Sequence, residues 1–168
     1  MIKPLVKNVL VAVNGSQSSI HAAMYGIIMA KQYHFNLKCV YVVDTATLRR
    51  LTIGKFLVQE ESDGFESNLH SDGEKYLNYV TGLAKKKGVK AEAELREGSV
   101  WVEVVKAADA FGAKLIFLGG HPSSYSVTGK VSDESAVFSR TDKEIILNAN
   151  CSTLVVYEPK IEELYRIL

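Results

Sequence analysis

Lys7-Asn8-Val9-Leu10-Val11-Ala12-Val13-Asn14-Gly15-Ser16 decides the fold. Val9 to Val13 is an unbroken apolar run, short and rich in β-branched side chains. A run without polar alternation suits a strand covered on both faces, at the centre of a parallel sheet. Asn14-Gly15-Ser16 breaks it, and Ile20, Ala23, Met24, Ile27 and Ala30 then fall on one helical stripe, predicting a helix from Ser18 to Tyr33. A strand entering a helix through a tight turn of small residues is the first half of a β-α-β unit.

Working outward, Asn36 to Val43 predicts a second strand, ended by Asp44. Residues 45–68 carry the weakest pattern and predict a loop with one short helix. Ser71 and Glu74 form an S-x-x-E pair, which predicts a helix start there and a helix running to Lys87. Its buried face is Leu69, Tyr76, Leu77, Val80 and Ala84. Lys90 to Glu97 alternates, with Ala91, Ala93 and Leu95 opposite Glu92, Glu94 and Arg96, as a half-exposed edge strand does. Ser99 is placed to cap a helix carrying Val100, Val104, Ala107, Ala108 and Phe111, stopped at Gly112.

Lys114 to Leu118 predicts a fourth strand, ending in Gly119-Gly120. A long Ser- and Gly-rich connection from His121 to Arg140 follows. Thr141-Asp142-Lys143-Glu144 predicts a capped helix to Ala149, and Thr153 to Tyr157 a fifth strand. Lys160 to Leu168 is an amphipathic tail, with Ile161, Leu164, Tyr165 and Leu168 on one face. Residues 1–158 are therefore read as one domain and 159–168 as its tail. Strands alternating with helices are joined by right-handed crossovers, which gives a doubly wound parallel α/β sheet with helices on both faces.

Composition sets the outer bounds. The 168 residues are 47% hydrophobic and 23% charged, and 20 Lys+Arg against 19 Asp+Glu leave a net charge of +1. That balance predicts no broad field for nucleic acid or an anionic membrane. No apolar run approaches the roughly 20 residues that span a bilayer, and Met1 to Lys7 has no signal-peptide pattern. Cys39 and Cys151 have no ligand-spaced neighbours, so they read as reduced thiols of a cytoplasmic protein rather than a zinc or redox site.

In an open α/β sheet a ligand sits beyond the carboxyl ends of the strands, where the strand order reverses. The informative positions are Asn14-Gly15-Ser16, Val43-Asp44 and Gly119-Gly120 with the following connection. Helix starts at Ser16–Ser19 and Thr141 would turn backbone N–H groups toward that crevice, which favours an anion. The plainer roles are a tight turn for Asn14-Gly15 and a cap for Asp44. His21, His34 and His70 read as surface or packing residues.

Four stretches in order resemble the universal stress protein family. Val9 to Ser16 resembles its opening strand, which ends in Asp-Gly-Ser. Tyr41-Val42-Val43-Asp44 resembles its second-strand signature. Gly98-Ser99 through Ala113-Lys114-Leu115-Ile116-Phe117-Leu118-Gly119 is similar to its third helix and fourth strand. Ala149-Asn150-Cys151-Ser152-Thr153-Leu154-Val155-Val156 is similar to its Ala-Pro-Cys-Pro-Val-Leu-Val-Val ending. The resemblance spans residues 5–158. It implies a Rossmann-like sheet of the adenine-nucleotide α-hydrolase type, in strand order 3-2-1-4-5. It also implies a homodimer through the fifth strands, at Thr153, Leu154, Val155, Val156 and Tyr157.

Many members bind ATP through G-x2-G-x9-G-[S/T]. Carried onto this chain, the first Gly is Gly119, the second falls on Pro122, the third on Ser139 and the Ser/Thr on Arg140. Proline has no N–H to offer a phosphate. Asn14 stands where the family has an acidic residue, and an amide cannot help hold a cation by charge.

Two readings follow. In one, the chain is a stress-response binding module without tight ATP binding. In the other, it is an ATP or AMP switch or slow ATPase, with side chains of the long connection replacing backbone contacts. The positions the resemblance brings to such a site are Ala12, Val13, Asn14, Val42, Asp44, Gly119, Gly120, His121, Lys130, Ser139, Arg140 and Thr141. No nucleophile–base pair, metal cluster or carboxylate dyad is visible in the sequence. A flavoprotein or nucleotidyl-transferase relative would need a flavin site or a pyrophosphate loop such as S-G-G-x-D-S, which the sequence lacks.

Overall fold

A computed structural model describes residues 3–120 and 139–168. Five parallel strands form one sheet in the order β3-β2-β1-β4-β5, as the resemblance implied. They are β1 (Asn8–Val13), β2 (Asn36–Val43), β3 (Ala91–Glu97), β4 (Leu115–Gly119) and β5 (Ser152–Val156). The helices are α1 (Gln17–Tyr33), α2 (Thr45–Ile53), α3 (Gln59–Lys86), α4 (Val100–Phe111), α5 (Arg140–Asn148) and α6 (Ile161–Ile167). No described helix is long and apolar enough to cross a membrane.

The apolar runs of β1 and β4 are explained by the two layers that cover them. Val9, Val11, Val13 and Phe117 pack with α1, α3 and α6, around Ala23, Ile27, Val80 and Ile161. Leu10, Ile116 and Leu118 point to the other face and meet Val104, Ala107, Ala108 and Ile145 of α4 and α5. Alternate residues therefore serve opposite cores, and both cores need an apolar side chain at every position. Phe117 is fully buried and meets Tyr25 edge to face, with ring centroids 5.9 Å apart.

The structure corrects the helix starts. Residues 45–68 hold α2 and the first turns of α3, not a loop with one short helix. Ser71 lies inside α3 rather than at its cap. The observed start is Val58, whose N–H donates to Glu61 Oε2 at 3.3 Å while Glu60 and Glu61 sit in the first turn, where the helix dipole favours anions. Gly73 carries the helix across the sheet. A Cβ there would come within 2.6 Å of both Leu95 Cδ1 and Tyr41 Cδ1. What resembles a helix boundary, Ser71-Asp72-Gly73, is thus the point of closest approach.

At α5 the cap is Ser139, not Thr141. Asp142 N donates to Ser139 Oγ and Ser139 N donates to Asp142 Oδ2, both at 3.0 Å. The S-x-x-D pair begins two residues before the T-x-x-E pair and closes the same reciprocal box, so the helix starts earlier. The amphipathic tail becomes α6 and docks on its own chain, where Tyr165 Oη donates to Leu83 O at 2.7 Å.

β3 is an edge strand, as its alternation predicts, but Glu94 and Arg96 are half-buried rather than solvated. Arg96 donates to Glu94 at 2.7 Å and to Glu103 of α4 at 2.9 Å. Lys38 of β2 reaches Glu94 at 3.1 Å, and Lys106 reaches Glu103 at 2.9 Å. Burial pushes the Glu103 carboxyl up, but hydrogen bonds and charge from Lys106 and Arg96 outweigh it and leave its pKa below the usual value. A carboxyl depressed in the folded state stabilises above its unfolded pKa, about 4.3. That contribution is lost as pH falls through the lower folded value. Glu103→Gln is expected to cost about 1–2 kcal/mol at pH 7, between exposed and buried ion pairs. The cost should shrink toward pH 3, as urea unfolding of both proteins across that range would show.

Candidate functional site

β1 and β4 lie side by side, and their connections leave in opposite directions, β1 toward β2 and β4 toward β5. That reversal opens a cleft of about 310 Å³ at the carboxyl ends of the strands. The volume is at the small end of ligand pockets, which run from roughly 300 to 1,000 Å³. One rim is the β1–α1 turn, with Asn14, Ser16, Ser18 and Ser19; Gly119 ends β4 beside it. The other rim is the start of α5, with Ser139, Thr141 and Asp142. Val40 and Val42 of β2 and Val100, Val104 and Ile145 of the α4–α5 layer make an apolar wall.

The β1–α1 turn is held by its own side chains. Asn14 Oδ1 accepts from Ser16 N at 3.0 Å and from Ser16 Oγ at 2.6 Å. Ser16 caps α1 by accepting from Ser19 N at 3.2 Å, and Asn14 N donates to Ser19 Oγ at 3.2 Å. Gly15 has φ 81°, in the left-handed region, and the Tyr76 ring occupies the space where a Cβ would go. Gly119 is required for a different reason. A Cβ there would run into the backbone of Ser18 and Ser19, so α1 can begin against β4 only over a glycine.

Of the positions that the family resemblance suggests, Ala12, Val13, Asn14, Val42, Gly119, Ser139 and Thr141 meet at this cleft. Asp44 does not line it. Both its carboxylate oxygens serve Thr47 at the start of α2, from the backbone N at 3.0 Å and Oγ1 at 2.7 Å. Gly120 lines a separate cleft of about 280 Å³, with His21, Val156 and Tyr157. Arg140 is exposed in the first turn of α5 and is not part of the cleft lining. His121 and Lys130 lie outside the described residues.

Two features of the cleft, its apolar wall and its acidic rim, are not evident from the sequence. Val100, Val104 and Ile145 have the helical spacing of core residues, and nothing in that spacing separates a pocket wall from a core. Asp142 was legible as a helix-start acid, but not as a carboxylate on a pocket rim. The cysteines stand apart from the cleft: both are free, and burial pushes the Cys39 thiol up to about 12, which keeps it protonated and unreactive.

The profile of the universal stress protein family matches residues 6–157. The chain belongs to that family. A universal stress protein of Methanocaldococcus jannaschii is 30% identical over 158 residues, covering 94% of this chain and 86% of that protein. Among solved structures, a universal stress protein family member from Burkholderia pseudomallei superposes with TM-score 0.68 at 22% identity, over 92% of this chain and 98% of that one. The universal stress protein of Archaeoglobus fulgidus, solved in complex with dAMP, gives TM-score 0.58 at 16% identity, over 92% and 100%. At these identities the structures establish the shared fold. The strand order that the resemblance implies, with its reversal between β1 and β4, is the one found here.

Proposed function

We propose that this universal stress protein is a regulatory binding module of the cytoplasmic stress response, not a turnover enzyme, and that its cleft does not hold ATP tightly. The Ser139–Asp142 box carries the reading. The family's phosphate loop has Gly and Ser or Thr where this chain has Ser139 and Arg140. Here the N–H groups of Ser139 and Asp142 are engaged by each other's side chains. The Asp142 carboxylate also stands on the rim, where it opposes a polyphosphate. Asn14, with its acceptor committed to Ser16, brings no charge for a metal-bound phosphate.

The second reading, an adenine-nucleotide switch, is favoured by the dAMP bound to the Archaeoglobus relative and by the apolar wall of Val100, Val104 and Ile145. A monophosphate carries less charge past Asp142 than ATP does. The two readings separate in a thermal and chemical unfolding series with ATP, AMP and Mg²⁺. With a dissociation constant weaker than millimolar, 1 mM ATP stabilises by less than about 0.4 kcal/mol. Stabilisation near 2.7 kcal/mol, the value at about 100 times the dissociation constant, would overturn the first reading. In that event Arg140→Ala and Lys130→Ala should each reduce the effect if side chains of the long connection hold the phosphates.

We also infer a homodimer paired through β5. β5 is a sheet edge, bonded on one side to β4, with Thr153, Leu154 and Val155 half-buried and Tyr157 exposed. An apolar edge with open N–H and C=O groups invites a second strand. Light scattering should give twice the chain mass for the natural protein. Val155→Glu should give a monomer with unchanged circular dichroism. A monomeric natural protein, or a folded Val155→Glu dimer, would contradict edge pairing.

A further inference from the structure

The carboxyl end of β3, at the far edge of the sheet from β5, carries a second cluster of chemistry-bearing groups. Glu66 and His70 lie one turn apart on α3, four residues in sequence, so their side chains leave the same helix face. β3 ends against that face at Glu97. One donor atom from each of the three residues falls within 4.8 Å of the other two, and His70 Nε2 is already in contact with a Glu97 carboxylate oxygen. Glu66 and His70 are half-buried and Glu97 is exposed, so the corner is supported from below and open to solvent.

We propose that Glu66, His70 and Glu97 form a binding site for a divalent transition-metal ion of the Zn²⁺ type. The geometry has the two parts such a site needs: an i, i+4 ligand pair on one helix, and a third ligand from a separate element that closes a chelate. One imidazole nitrogen with two carboxylate oxygens selects borderline ions over Mg²⁺ and Ca²⁺, which prefer oxygen donors throughout. Three protein ligands leave a position for water or an incoming group.

Charge points the same way. Glu94 and Glu103, nearby on β3 and α4, are each paired with lysine and arginine. Among the described residues, neither Glu66 nor Glu97 pairs with lysine or arginine; His70 is the partner that Glu97 has. A dication between the two carboxylates would neutralise them. It would also clamp α3, near its exposed Phe65, to the edge of the sheet.

The probe is Zn²⁺ alone, measured against a chromogenic chelator on the full chain. One equivalent is expected to bind with a dissociation constant on the order of micromolar, about a thousandfold tighter than a millimolar adventitious contact. Millimolar Mg²⁺ is expected not to displace the ion. His70→Ala and Glu97→Gln should each weaken binding by about tenfold or more, whereas His21→Ala, at a histidine paired with Glu162 of α6, should leave it unchanged. Melting in excess chelator checks that each variant is folded. If His70→Ala is not, Glu66→Gln takes its place. Binding weaker than millimolar in the natural chain, or equal affinity in a folded ligand variant, would mean an adventitious ion only and would overturn the proposal.

Discussion

A Cβ on Gly119 would overlap the carbonyl of Ser18 and the nitrogen of Ser19, so α1 starts where it does only because β4 ends on a glycine. The approach fixes one rim of the cleft. It brings the Ser16–Ser19 turn over the end of the neighbouring strand and sets how far α1 lies from the α5 start opposite. The apolar residues of β1 reinforce it from below, since Val11 and Val13 share a core with Ala22, Ala23 and Ile27 of α1. Close packing leaves little room for such a contact to relax, because a buried interface at near-crystal density cannot absorb an extra methyl without moving a whole element.

That constraint changes the meaning of the glycine. By the family resemblance Gly119 matches a phosphate-loop glycine, while the positions that would complete that loop fall on other residue types. Pro122 replaces the second glycine and Ser139 the third. What surrounds Gly119 in this chain is the backbone of its own first helix. Asn14 Oδ1 and Ser139 Oγ tell the same story, since each oxygen accepts from a neighbouring turn. The architecture of the cleft is held by packing and capping within the chain itself. The pocket is also the junction of β1, β4 and α1, so the packing of those three elements is enough to form it.

The sheet was legible because β1, β4 and the Cys39–Val43 stretch of β2 are apolar on both faces, as a central parallel strand requires. The alternation in β3 marked an edge. What stayed hidden was tertiary. Glu60-Glu61-Ser62-Asp63-Gly64 has the composition of a loop, and it is helical because α2 packs against it and Ser62 is buried. Ser71-x-x-Glu74 has the form of a cap and is not one, since Gly73 must pass over Tyr41 and Leu95 with no side chain. The cleft positions on strand ends and turns were readable from topology and resemblance. Its walls were not, because Val104 and Ile145 serve the core as well. Glu97 is separated from Glu66 and His70 by most of a helix and a strand, so only folding brings it to them.

The most direct test is the stability of Gly119→Ala in protein stripped of nucleotide. If Gly119 is there for the approach of α1, the added methyl should cost about 1–3 kcal/mol in urea unfolding with no ligand present. A variant as stable as the natural chain, within about 0.5 kcal/mol, but impaired in binding an adenine nucleotide would contradict the account. It would return Gly119 to the phosphate loop.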